Sequence, residues 1–152
     1  MKKLIIIMIT LSSCSPELIQ DESLLIYLNN VRDQMLQRGV DFSIDFDLIL
    51  ESDLSEHGGN AVGKSTRTNR INKNNAIRID KEKFDSLQYI GHYWKIEYIL
   101  LHEIGHNVFG MGHMERPVNN ERPVVMYPYG WKRIRKDDIN NMYDAFSEVI
   151  KN

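Results

Sequence analysis

The chain has 152 residues, enough for one hydrophobic core and too few for two comfortable ones, so a single domain with a single site is expected. Lysine and arginine number 19 against 21 acids, a net charge of −2, which leaves no broad basic field for nucleic acid. The one cysteine, Cys14, excludes internal disulfides and a thiolate metal site, so any metal must be held by His, Asp or Glu.

Met1-Lys2-Lys3 gives a basic start, Leu4 to Leu11 a short apolar run, and Leu11-Ser12-Ser13-Cys14 a small-residue end, which together read as an export signal. The run is too short to span a bilayer core, which takes about 20 residues as a helix. Leu-Ser-Ser-Cys resembles the lipobox of bacterial lipoproteins, and that resemblance implies cleavage before Cys14 and a lipid attached to it. Residues 1–13 are thus expected to be a signal peptide, 14–17 a lipid-anchored tether and 18–152 the folded domain. The expected place is the bacterial cell envelope, periplasmic or surface-exposed, with the lipid as the sole membrane contact and the domain a monomer.

From Leu18 to Arg38, the residues Leu24, Leu25, Leu28, Val31, Met35 and Leu36 recur at helical spacing until Gly39, predicting an amphipathic helix. Phe42 to Leu50 alternates and then turns continuously apolar, as a strand with one buried face does. Residues 51–75 are rich in Ser, Gly, Asn, Thr and charge, a long loop or weak strands. Within them Gly58 to Ser65 satisfies the spacing of a phosphate-binding loop. However, Ser52 to His57 separate it from the strand and Thr66 to Asn75 is poor helix sequence, so nucleotide binding is not expected. Ala76-Ile77-Arg78-Ile79-Asp80 alternates as a short strand, and Asp85-Ser86 are placed to cap a helix from Leu87 through the 102–110 region to Gly110. Asp138 to Ile150 carries Ile139, Met142, Tyr143, Phe146, Val149 and Ile150 on one stripe behind an acidic cap, predicting a terminal helix. Helices with a few strands and no internal repeat make α+β the expected class.

Leu101-His102-Glu103-Ile104-Gly105-His106 contains His-Glu-x-x-His inside the predicted helix. Residues four apart stand one turn above each other, so His102 and His106 can present imidazoles to one ion. Glu103, about 100° further round, can reach a water at the ion instead of the ion itself, which makes it the candidate general base. Ile96, Ile99, Leu100, Ile104, Val108 and Phe109 imply a buried helix, where two histidines and a glutamate are costly without a partner such as a metal. Zn2+ suits imidazole ligands, and three protein ligands leave one position open for a water of pKa about 7. His113, past the turn Gly110-Met111-Gly112, is the candidate third ligand, with Glu115, Glu121 or Asp137 as oxygen alternatives. His57 and His92 read as solvated or structural. Lys132, Arg133, Arg135 and Lys136 read as a solvated basic group that could also favour acidic substrate residues.

These residues resemble the metzincin metallopeptidases, and among them the matrixins, whose His-Glu-x-x-His motif is followed by a glycine, a third histidine and a turn containing methionine. Val125-Met126-Tyr127-Pro128-Tyr129 looks like that Met-turn, Asp137 to Tyr143 looks like the start of the terminal helix, and Ala76–Asp80 stands where such proteins have the last strand before the active-site helix. The resemblance spans residues 76–150. It implies a zincin-like (metzincin) α+β domain with a small mixed sheet. It also implies one catalytic zinc on His102, His106 and His113, Glu103 as base, and Met126 as an apolar floor beneath the metal. Tyr127 or Tyr129 becomes a candidate contact for the oxyanion or substrate, with core packing as the alternative.

The implied activity is hydrolysis of peptide bonds in a protein or peptide laid along an edge strand, for which Ala76–Asp80 is the expected element. The alternative is a catalytically silent, zinc-containing surface binding lipoprotein, against which Glu103 argues. The chain departs from the pattern at Phe109, where the family has glycine. Gly110 and His113 therefore arrive one residue late, and the loop must absorb the extra residue, for instance as a single-turn bulge. No propeptide cysteine resembling the matrixin latency switch is present, so zymogen control of that type is not implied.

Overall fold

The structure, a computed structural model, describes residues 18–52, 54, 61–66, 75–114 and 125–151. The expected signal, Cys14 and its tether, and also His57, Glu115 and Glu121, lie outside the described residues.

Asp21 opens the first helix, its carboxylate accepting from the Ser23 amide at 3.0 Å, and the chain continues as α1, Glu22–Gln37. Leu24, Leu28, Val31 and Met35 are fully buried, as their spacing predicts, whereas Leu36 is exposed. The helix starts at Glu22 and not at Leu18, because Leu18 to Gln20 lie along the neighbouring strand. The Ile19 amide donates to Asp47 Oδ1 at 2.9 Å and the Leu48 amide to the Ile19 carbonyl at 2.8 Å.

Three strands, β1 (Asp47–Glu51), β2 (Gly63–Thr66) and β3 (Ala76–Asp80), form a mixed sheet in the order β1-β3-β2. β1 runs parallel to β3 and β2 antiparallel to it. The strand expected over 42–50 begins only at Asp47. Phe42 and Phe46 are buried all the same, entering the core from irregular chain. β3 is central and has both backbone edges paired, which corrects the expectation that Ala76–Asp80 is the edge open to a substrate. β2 holds that edge, in the stretch where the sequence offered only a loop or weak strands.

The Asp80 carboxylate accepts from the Lys83 amide at 2.8 Å and so caps α2, Lys81–Tyr89; Asp85 and Ser86, expected as caps, lie inside this helix. The single long helix of the sequence reading is therefore two helices. Gly91 adopts φ 72°, a left-handed conformation that side chains other than glycine resist, and the His92 amide closes on the Leu87 carbonyl at 2.8 Å. The chain then restarts as α3, Tyr93–Asn107.

α3 is the centre of the molecule. It packs against α1, α2, β2 and β3, and every residue from Tyr98 to Gly105 is buried. Each fully buried large apolar side chain contributes about 1.5–3 kcal/mol, whereas buried imidazole and carboxylate groups cost free energy unless they are compensated. Two short 3-10 turns, Gly130–Lys132 and Lys136–Asp138, lead into α4, Ile139–Lys151, which buries Met142, Tyr143 and Phe146 as predicted. Across α3, the Glu97 carboxylate accepts from Asn30 of α1 at 2.6 Å and from the Tyr143 hydroxyl of α4 at 3.0 Å, tying three helices together. The described residues thus make an α+β domain of four α-helices and a small mixed sheet. No helix among them is long and apolar enough to cross a membrane.

Candidate metal centre

His102 and His106 project from successive turns of α3, and each has one ring nitrogen already engaged. Nδ1 of His102 donates to the Val125 carbonyl at 2.6 Å and Nδ1 of His106 to the Met111 carbonyl at 2.6 Å. A carbonyl can only accept, so each Nδ1 carries a proton, and in the neutral ring the Nε2 atom is then left with a lone pair. These two Nε2 atoms lie 3.1 Å apart. Two facing lone pairs repel unless a cation lies between them, and an ion with tetrahedral bonds of about 2.0–2.1 Å spaces neighbouring donors by about 3.3 Å.

His113 completes the cluster, its ring centroid 5.3 Å from that of His102 and 4.7 Å from that of His106. One ligand atom from each of the three lies within 4.8 Å of the others. Among the described residues no other group of three ligating side chains can share an ion, and Asp137, weighed as an oxygen substitute, is exposed and outside the cluster.

The late arrival of His113 is absorbed by a widened helix end. The Phe109 amide reaches back to the Ile104 carbonyl at 3.4 Å and the Met111 amide to the Gly105 carbonyl at 2.9 Å, around Gly110 at φ 66°. The Phe109 ring docks edge-on against Phe42 and Phe146, each 6.1 Å away, so the extra residue anchors the loop in the core. Just past His113, the Met114 amide donates to the Met126 carbonyl at 3.0 Å, fixing the loop to the segment that also holds His102. Met126 is itself fully buried, with its sulfur against Gly105, where any Cβ would collide with it.

Burial sets the protonation of the site. His102 is pushed down to about 4, first by desolvation and then by the neighbouring His106 and His113, with the Val125 carbonyl opposing. His113 is lowered by burial and by His106. Neutral imidazoles are the form that binds metal. Glu103, only 5% exposed, is pushed up to about 8 by desolvation. No cation or hydrogen-bond donor stands against its carboxylate among the described residues, and it faces a cleft of about 710 Å3.

Ala61 to Ser65 forms one wall of that cleft, α3 the floor, and Pro128, Tyr129 and Trp131 the other wall. β2 is held on α3 by Asn107, whose Nδ2 donates to the Thr66 carbonyl at 3.2 Å. Comparison with protein-family models, with curated proteins and with solved structures found no match.

The remaining candidates sort by position. Tyr129 lines the cleft, whereas the Tyr127 side chain does not. The Tyr127 carbonyl instead accepts from the Tyr98 hydroxyl at 3.1 Å, and Gly130 presses on the same phenol. Burial pushes the Tyr98 phenol up, so it remains a donor. The His92 ring lies tilted against Trp94, centroids 4.7 Å apart, and is not part of the cluster. Gly63–Thr66 is strand, whereas a phosphate-binding loop enters a helix at this point of its pattern, in keeping with the expectation that nucleotide is not bound. Sequence reasoning missed Tyr98, Trp131, the β2 wall and the two carbonyls that orient the histidines. Only Tyr98 was signalled, by standing one turn before His102 on the same helical face.

Proposed function

We propose that the chain is a zinc-dependent endopeptidase of the metzincin type, hydrolysing peptide bonds in proteins or peptides. The observation that carries the reading is the pair of Nε2 atoms 3.1 Å apart, both rings oriented by backbone carbonyls, beside a buried glutamate that has no partner among the described residues and faces an open cleft. The residues fit zinc: three imidazoles with no thiolate, leaving a fourth position open.

What zinc supplies when bound is a Lewis acid that lowers the pKa of water toward about 7 and polarises a peptide carbonyl. His102, His106 and His113 would hold it, and the Val125 and Met111 carbonyls keep their rings aimed. Glu103, buried beside the histidines at the cleft, takes the proton of the attacking water on its carboxylate and returns it to the departing amine. Among the described residues β2 has one neighbour, β3, and it borders the cleft, where an extended peptide can add as a further strand. Met126, packed on Gly105, supports the helix from below and is not a ligand.

The alternative, a silent zinc-containing binding lipoprotein, has no use for a buried carboxylate beside the ligands. Zinc content and cleavage of a mixed peptide library, measured on the full chain in detergent and on Glu103→Ala, separate the two. We expect one zinc in each and a loss of cleavage of at least about 100-fold in the variant. Zinc in both with cleavage by neither supports the binding module, and absence of zinc removes the proposal.

A further inference from the structure

We infer that the cleft selects peptide segments rich in glutamate and aspartate, held by Lys64 in its lining and by Lys83 and Lys132 against the aromatic rings of Tyr129 and Trp131. The inference rests on the peptidase reading for the nature of the ligand. One wall presents Tyr129 and Trp131, and Lys132 lays its ammonium over both rings at 5.6 Å. Lys83 comes from α2 to the same Trp131 ring at 5.4 Å. Lys64 lines the opposite wall on β2.

An aromatic face holds an ammonium in place without cancelling its charge, as a carboxylate would. Lys81, which pairs with Asp85 at 2.6 Å, shows the neutralised arrangement. Among the described residues Lys64, Lys83 and Lys132 have no carboxylate partner, and the sole acid lining the cleft is Glu103 at its base. A chain of net charge −2 thus carries local positive charge along the path of a ligand. Ammonium groups fixed in this way recognise carboxylates by charge-assisted hydrogen bonds and repel basic segments.

The test uses a fluorescent peptide with glutamates on either side of an aliphatic centre and its counterpart with glutamine at those positions. Binding of each is measured by anisotropy on the zinc-loaded full chain carrying Glu103→Gln, and cleavage of each by the unmutated protein. The glutamate peptide should bind about tenfold more tightly at low ionic strength, and the preference should fade at high salt. Lys64→Gln, Lys83→Gln and Lys132→Gln should each reduce it about twofold to threefold. Equal binding of the two peptides, or a preference that survives all three substitutions and high salt, overturns the inference even if both peptides are cleaved. A lysine-dependent preference without cleavage upholds the inference while removing the peptidase reading.

Discussion

Gly63 and Glu103 are in such close contact that a Cβ at position 63 would lie 2.7 Å from Glu103 Oε1. Gly63→Ala can be accommodated only by moving the carboxylate, and if Glu103 is the general base we propose, its displacement by a fraction of an ångström is costly. We expect kcat to fall at least about tenfold with zinc content unchanged, read by steady-state kinetics beside metal analysis; parental activity would show that the position of this carboxylate is immaterial. The same burial makes stability depend on pH through two residues with opposite signs. Folded His102, near 4, binds a proton less readily than the unfolded chain near 6.5, so its contribution is complete above 6.5 and lost as pH falls through about 4. Folded Glu103, near 8, holds a proton more tightly than the unfolded chain near 4.5, so in the metal-free protein its contribution is complete below 4.5 and lost as pH rises through about 8. Metal-free Glu103→Gln should therefore be more stable than metal-free parent above pH 8, by on the order of a few kcal/mol, and not below pH 4.5. Urea midpoints at the two extremes check this, and a difference that ignores pH would remove ionisation from the account.

At the scale of elements, the ligand set depends on how α3 ends. Phe109 replaces the glycine expected there from the metzincin resemblance, and its ring fills space between Phe42 and Phe146 while the wide turn around Gly110 carries His113 back to the cluster. Phe109→Ala should cost roughly 1–3 kcal/mol for a half-buried ring and should also weaken zinc retention, because the loop loses its anchor. Thermal melting and competition with a chelator measure the two effects, and loss of stability with zinc affinity intact would confine Phe109 to packing. Helical spacing revealed His102, Glu103 and His106 because i, i+4 geometry is local. It did not reveal the break at Gly91, because apolar residues continue through Leu87 and Ile96 on both sides, and the left-handed turn at this glycine, closed by the His92 amide on the Leu87 carbonyl, is what separates α2 from α3. The place of β3 in the sheet was hidden for a related reason, since alternation reports one buried face and says nothing about how many edges are paired.

For the whole molecule, the lipid attachment expected from the sequence falls on Cys14, behind a short apolar run and outside the described residues. In a bacterial host, Cys14→Ala should move the protein from the membrane fraction to the soluble one, and the membrane form should exceed its polypeptide mass by a lipid; an unmodified Cys14 would end that expectation. The amino-acid sequence by itself determined the helix bearing His102, Glu103 and His106, the terminal helix over 139–150, the strand Ala76–Asp80 and the α+β class. Each of these is written in local spacing, where one helical turn or one strand pleat decides which side chains share a face. Tertiary structure alone decided that His113 joins the cluster, that Val125 and Met111 orient the imidazoles, and that β2 is the outer strand of the described sheet beside Glu103. These depend on contacts between segments distant in the chain, and backbone carbonyls, which every residue carries, leave no mark in composition or periodicity.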